Sequence, residues 1–331
     1  STGEEIAQVG TISANGERAI GDMTMALSLA AACRRHLPDA RIACVMREAL
    51  LPFFKSCPDL DAIYPIPRRF FLRPVAAFRL WRALRRGWDA AIALDTPRKS
   101  SLTTLCFGLV ARTRRRAGFA TEESRGFLTD AVLAPPNEPM RASLQRLAAC
   151  LLPKATAARP LPLPRLAPDA AARAAAERLL GPEMPPVVIF VSEHWSKSWP
   201  LAAWRRVAAR LTETGHRVWL AFGPGDARDG DPALHAWVEK SRGLGAVLPA
   251  QPPSVWLAIL ARCRLYLSND CGPYHLAVAA GARCVGVFST PEALRDFGYE
   301  APGRLVALHE PDLATAEARA VETALKLLES G

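Results

Sequence analysis

Residues 268–281, SNDCGPYHLAVAAG, join the end of an apolar strand to an acidic Asn269-Asp270 corner, a Gly-Pro turn and an Ala-rich helix. Backbone N–H groups in the first turn of a helix have no intrahelical partner, and the macrodipole places partial positive charge there. A diphosphate therefore docks at such a point without many basic side chains. Gly272 lets the backbone come close to it, and His275, expected in the first turn, can donate to the same oxygens. An ordinary βα corner of a parallel sheet has the same outline.

Three further loops end apolar strands in residues suited to related chemistry. Gly21-Asp22 stands where a helix begins. A carboxylate there is stabilised by the helix N-terminus and can take a proton from a hydroxyl, or it simply caps the helix. In VSEHWSKSWP (191–200), Lys197 precedes Trp199-Pro200, which opens a helix. Its ammonium can neutralise a leaving phosphate, or it is an ordinary solvated lysine. In FGPGDARD (222–229), Asp226 is placed as acidic residues are when they accept from a ribose diol, while Gly230-Asp231-Pro232 after it breaks the following helix and equally fits a surface loop. The helix start, the lysine and the ribose acceptor fall in the second half of the chain, and the candidate base falls in the first. That division points to a nucleotide donor held by one half and an acceptor held by the other.

Strand and helix alternate twice along the chain, the pattern of a parallel sheet covered on both faces. The spacing predicts strands at 6–12, 41–46, 62–66 and 90–94 with a helix over 23–37, then strands at 187–191, 217–223, 265–269 and 284–289 with helices over 201–215, 254–263 and 275–281. The Pro-rich segment near 155–168 cannot sit inside regular structure and separates the halves. The fold class is α/β: two doubly wound Rossmann-like domains, 1–155 and 169–313, joined by a linker at 156–168 and facing across a cleft where ligands bind. The terminal segment, 314–331, reads as a helix that packs back on the first domain.

The net charge of +10 is uneven: residues 1–165 carry 25 Lys and Arg against 14 Asp and Glu, or +11, and residues 166–331 carry 17 against 18, or −1. The arginines of the first half concentrate at 68–88, interleaved with Phe70, Phe71, Phe78 and Trp81, and at 111–119. This suits an anionic membrane surface or a phosphorylated lipid, or a solvated basic helix with its aromatics in the core. No nucleic-acid-binding motif accompanies the charge. Eight scattered cysteines lack the close pairs of a zinc site and read as reduced core thiols. No apolar run is long enough to span a bilayer, and the start lacks the features of a secretory signal, so a cytoplasmic protein is expected.

Taken together, Asn269-Asp270-Cys271-Gly272-Pro273-Tyr274-His275, Lys197-Ser198-Trp199-Pro200, Gly223-Pro224-Gly225-Asp226 and Gly21-Asp22 resemble the motifs of glycosyltransferase family 9, the bacterial ADP-heptose:lipopolysaccharide heptosyltransferases of GT-B fold. The runs PDARI (38–42) and RRAGF (115–119) add to the likeness, and Phe288-Ser289-Thr290-Pro291 is similar to a further family segment. The resemblance implies an inverting transfer of heptose from ADP-heptose to a lipopolysaccharide core acceptor, Kdo or heptose, without metal or cofactor. It implies Asp22 as general base and Lys197 as the group facing the leaving nucleotide. Asp226 takes the ribose, and Asn269, Asp270, Cys271, Gly272, Pro273 and His275 complete the nucleotide-sugar site. Cys271 stands where Ser or Thr is usual. Arg18, Arg69 and Arg73 are assigned to an anionic glycolipid acceptor, reached by peripheral contact at the inner face of the bacterial inner membrane. Another nucleotide sugar, a protein or other glycan acceptor, an epimerase, or a catalytically silent binding module are the alternatives on the same fold.

Overall fold

In a computed structural model of the chain, the described residues are 8–12, 20–152, 160–192, 197–223 and 231–330. They fall into two compact units, Ser1–Arg165 and Leu166–Gly331.

The first unit holds β1 (Gln8–Ile12), β2 (Arg41–Arg47), β3 (Ala62–Ile66), β4 (Ala90–Ala93), β5 (Arg115–Phe119) and β6 (Asp130–Val132). All neighbours are parallel, in the order β3-β2-β1-β4-β5-β6. Ile42 to Met46 of β2 and all of β4 are buried, as strands are when helices cover both faces of a sheet. The helix Ile20–His36 follows β1, and every residue from Met23 to Cys33 is buried. It packs against the helix Met140–Leu151 and the sheet, which explains why its sequence is apolar all round and rich in alanine instead of amphipathic. Asp22, at its first turn, is exposed.

The second unit repeats the plan with β7 (Val187–Val191), β8 (Val218–Phe222), β9 (Gly245–Leu248), β10 (Leu265–Asn269), β11 (Cys284–Val287) and β12 (Leu305–Leu308), in the parallel order β12-β11-β10-β7-β8-β9. Both sheets thus have the Rossmann order, with the winding reversing between β1 and β4 in one unit and between β7 and β10 in the other. The second core gathers Trp204, Val207 and Leu211 of the helix Leu201–Glu213 with Ala320, Val321, Ala324 and Leu328 of the helix Leu313–Glu329. Each fully buried aliphatic or aromatic side chain there is worth about 1.5–3 kcal/mol.

Several expectations change in three dimensions. The terminal helix, expected to pack back on the first domain, places its buried stripe in the second unit's core. RRAGF is an inner strand, not part of a basic surface: Arg115 pairs with Asp130 at 2.7 Å, and Arg116 donates to the carbonyls of Phe127 and Thr113. Asp231-Pro232 start a helix, Pro232–Lys240, because Asp231 accepts the Ala233 N–H at 2.9 Å and proline suits the first helical position. Gly272-Pro273 form no turn: they are the first two residues of the helix Gly272–Ala280, where the missing proline N–H costs nothing. The linker residues 160–168 are irregular as proline requires, yet Leu161 and Leu166 are buried and Leu166 donates to the Ala279 carbonyl. All eight cysteines are thiols; six are buried, while Cys106 is exposed and Cys150 half-buried. No described helix is long and apolar enough to cross a membrane.

Gly286 in β11 leaves room for the Tyr274 ring, which a Cβ at that position would meet at 2.6 Å. Tyr274 is fully buried, and its hydroxyl accepts the Tyr299 N–H at 3.3 Å, so the ring has nowhere to retreat. Gly286→Ala is expected to destabilise the second unit by about 1–3 kcal/mol, read as a lower urea midpoint for its unfolding transition.

Candidate active site

In the second unit the candidate residues meet where the sheet reverses. Strands β7 and β10 are neighbours, with Ser268 beside Phe190, so the loops that leave their carboxyl ends converge. Lys197 stands on the loop after β7 and Asn269-Asp270 at the end of β10. The Asn269 amide oxygen accepts two hydrogen bonds, from the Trp199 N–H at 2.9 Å and the Trp204 Nε1–H at 3.1 Å. At 2% exposure Asn269 is a staple that fixes the Lys-Ser-Trp-Pro segment to the strand end through its amide oxygen, while its amide nitrogen has no hydrogen-bond partner among the described residues. Trp199 lies over Trp204 at 4.8 Å between ring centroids, which steadies the same junction.

Asp270 is 8% exposed. Its Oδ2 accepts from Lys197 Nζ at 2.9 Å, and its Oδ1 faces His275 Nε2 at 3.7 Å. Burial pushes its carboxyl up, but His275 and Lys197 together outweigh burial and hold it below the ordinary 3.8. Lys197 keeps 43% of its side chain exposed, with the ammonium 5.7 Å from the centre of the Phe297 ring. An ammonium has three N–H donors and Asp270 takes one, so two remain for an anion. Lys197 is thus neither free nor merely solvated.

His275 departs from the expectation of a direct donor to phosphate. It is 3% exposed, Nδ1 lies 3.1 Å from the Tyr299 hydroxyl, and Nε2 is turned to Asp270. Tyr274, Tyr299 and Phe297 surround the ring. Both nitrogens are directed at protein groups, so its action on a ligand runs through Asp270. The helix start is also leaner in donors than its motif promised: Pro273 has no N–H, and the Tyr274 N–H is spent on the Cys271 carbonyl. The Cys271 thiol turns to Ser268 Oγ at 3.7 Å, and burial raises its pKa to about 12, so it stays a neutral filler of the corner. Asp226 and Arg18 lie outside the described residues.

In the first unit Asp22 opens the buried helix Ile20–His36 beyond the carboxyl end of β1. Arg69 and Arg73 bracket the short turn Phe70–Leu72 after β3, both exposed, with Arg73 3.9 Å from Glu48. One strand, β2, separates β1 from β3, so the two groups leave the sheet about 10 Å apart. Asp95, which sequence reading passed over, lies just past β4, on the other flank of the same reversal as Asp22. It is 6% exposed and accepts from the Ser101 N–H at 3.0 Å and the Thr104 hydroxyl at 3.3 Å. Burial is the larger influence and raises its pKa to about 6. An acidic residue directly after an apolar strand, with Ser and Thr six and nine positions on, was the available signal. Tyr299 and Phe297 were also missed, because only the third dimension carries them to His275. Thr290, within the FSTP segment, caps the helix Pro291–Phe297 that brings Phe297 there. Among the described residues no group of three or more His, Cys, Asp and Glu side chains is arranged to hold a metal ion.

Two Rossmann-like units, each with polar residues gathered at its sheet reversal, give the α/β architecture of the GT-B fold. The model of glycosyltransferase family 9 (heptosyltransferase) matches residues 77–324, and the chain belongs to that family. It is 32% identical over 108 residues to lipopolysaccharide heptosyltransferase 1 of Pseudomonas aeruginosa, a match that spans 32% of this chain and 29% of that protein. Its fold is similar to that of E. coli ADP-heptose LPS heptosyltransferase II, at TM-score 0.75 and 20% identity over 97% of this chain and 98% of that one. A family 9 glycosyltransferase from Veillonella parvula superposes with TM-score 0.78 at 18% identity over the whole of both chains. E. coli heptosyltransferase WaaC, solved with ADP, has TM-score 0.69 at 17% identity over 98% of this chain and all of that one.

The two buried carboxylates predict opposite pH effects. Asp270 has a lowered pKa, so its contribution to stability is present above its unfolded value near 3.8 and is lost as pH falls through the lower folded value. Asp95 has a raised pKa, so ionising it weakens the fold as pH climbs from 3.8 through about 6. Denaturant unfolding across this range should show Asp95→Asn gaining on wild type by on the order of 2–3 kcal/mol as pH rises. Asp270→Asn should lose to wild type at neutral pH and converge with it in acid.

Proposed function

We propose that the protein transfers heptose from ADP-heptose to a lipopolysaccharide core acceptor, Kdo or heptose, with inversion at the anomeric carbon and no metal or cofactor. The observation that carries this reading is the Lys197–Asp270 pair, set beside a helix start where the second sheet reverses. Family membership and the ADP complex of the similar E. coli enzyme support the choice of donor.

In this reading the second unit binds the nucleotide sugar and the first binds the acceptor. Asp22 takes the proton from the acceptor hydroxyl. The oxygen attacks the anomeric carbon on the face opposite the diphosphate, the bond from that carbon to the phosphate oxygen breaks, and ADP leaves. Lys197 and the start of the helix Gly272–Ala280 meet the charge that grows on the departing diphosphate. Asp270 aims the ammonium, and His275 with Tyr299 keeps Asp270 ionised and still. Because these groups are locked before the reaction, little reorganisation is needed at the transition state. Asp226 accepts from the ribose, and Arg18, Arg69 and Arg73 meet the acidic groups of the acceptor. The rigid, buried helix behind Asp22 serves the same end, holding the base at one place. The enzyme would work in the cytoplasm, at the inner face of the inner membrane where such acceptors are presented.

Calorimetric titration with ADP, UDP, GDP and CMP tests the donor half: ADP should bind best, and Lys197→Ala should weaken it. Preference for another nucleotide would overturn the sugar assignment. With ADP-heptose and truncated lipopolysaccharide, Asp22→Asn should lower kcat by about 10²–10⁴-fold while ADP affinity stays at the wild-type value. Product formation by Asp22→Asn at the wild-type rate would remove Asp22 from the role of base.

A further inference from the structure

Nine large apolar side chains are exposed among the described residues, and four of them lie within one stretch of ten: Leu72 (75%), Val75 (64%), Phe78 (59%) and Trp81 (46%). Chance scatter would not group them, and an exposed cluster of this kind marks a surface that something else covers. The stretch belongs to the helix Pro74–Leu84 and the turn before it. Leu80 and Leu84 anchor the helix in the first unit's core beside Ile66 and Trp88. At 100° per residue, Val75, Phe78 and Trp81 point to the opposite half. Phe78 stacks on Trp81 at 5.7 Å, so the exposed aromatics form one platform.

Charge identifies what covers it. Between residues 68 and 88 there are seven arginines and no acidic residue. Arg85 lies 5.2 Å from the Trp81 ring centre, its head beside the apolar platform. Arg79, Arg82 and Arg86 line a groove of about 810 Å³ with Tyr64, Arg73 and one acidic residue, Glu48, which lies 3.9 Å from Arg73; none of those three arginines is ion-paired with a described residue. A second copy of the chain docking face to face would bring seven arginines against seven, which like-charge repulsion opposes. An anionic bilayer answers both halves of the surface: lipid phosphates for the guanidinium groups and the acyl boundary for the aromatics.

We propose that the helix Pro74–Leu84 is an interfacial helix that lies in the plane of an anionic membrane. Leu72, Val75, Phe78 and Trp81 enter the boundary between headgroups and acyl chains, and the arginines hold lipid phosphates in and beside the groove. The helix begins after β3 at the carboxyl edge of the sheet, the edge at which Asp22 also stands, so docking brings the membrane surface to the side of the candidate base.

The test is flotation of the full chain with vesicles, in the absence of any sugar donor, so failure here and failure of the transfer reaction are told apart. Wild type should float with phosphatidylcholine vesicles containing phosphatidylglycerol, release as salt is added, and stay behind with pure phosphatidylcholine. Arg79→Gln/Arg82→Gln should weaken anionic binding about 30-fold. Phe78→Ser/Trp81→Ser should weaken it at least about tenfold. Both variants should retain wild-type melting and ADP affinity, which separates loss of docking from loss of fold. Equal flotation with neutral and anionic vesicles, variants that bind as wild type does, or a wild-type dimer dispersed by the apolar variant without vesicle binding would each overturn the proposal.

Discussion

A buried negative charge organises the second unit. Asp270 is nearly removed from water, a position that costs several kcal/mol unless partners compensate, and its partners come from three separate places in the chain. Lys197 arrives from the loop after β7, His275 from the helix Gly272–Ala280, and Tyr299, through His275, from the segment beyond β11. Removing one partner from a buried pair typically costs about 3–5 kcal/mol, so the three segments are obliged to stay together. Asn269 adds a neutral tie one residue earlier, drawing Trp199 and Trp204 to the same strand end. The outcome is one ammonium, aimed and partly exposed, with donors to spare.

The first unit solves a different problem. Its candidate base, Asp22, is placed by the backbone of a helix with eleven consecutive buried residues. Rigidity comes from packing, and the carboxylate itself is exposed. Across the same sheet reversal, Asp95 spends both its oxygens on the loop that follows β4, and its burial keeps the proton longer than an ordinary carboxyl would. The two acids share a neighbourhood but have opposite surroundings: Asp22 stands exposed at a helix start, while Asp95 is buried and fixes the segment that follows β4.

Surface charge is divided in the same economical way. Arg115 and Arg116 look like part of a basic face in the sequence but are consumed by Asp130, Phe127 and Thr113 inside the unit. The arginines of the helix Pro74–Leu84 form no ion pair with a described residue, and apolar side chains stand exposed among them. This helix therefore combines basic groups with the aromatics that a purely aqueous surface would have hidden.

The doubly wound fold was legible in the chain because parallel strands buried on both faces must be short apolar runs, and VVIFV, LYLSN and AAIAL are such runs. The order of the loops that follow them placed Asp22, Lys197 and Asn269-Asp270 at strand ends. Strands with polar or small residues escaped: RRAGF reads as charge until its arginines find internal partners, and GAVL and LVAL are too short to stand out. Sequence by itself determined which residues could do chemistry and at which strand ends they stand, since local pattern and spacing carry that information. Only tertiary structure decided which of them are turned inward to protein partners. It turned His275 inward to Tyr299 and made Asn269 a staple, gave Lys197 its carboxylate, and set Asp95 after β4, across the sheet reversal from the strand that precedes Asp22. Burial, hydrogen-bond partnership and the pKa shifts that follow from them depend on contacts between residues far apart in the chain, which no local pattern encodes.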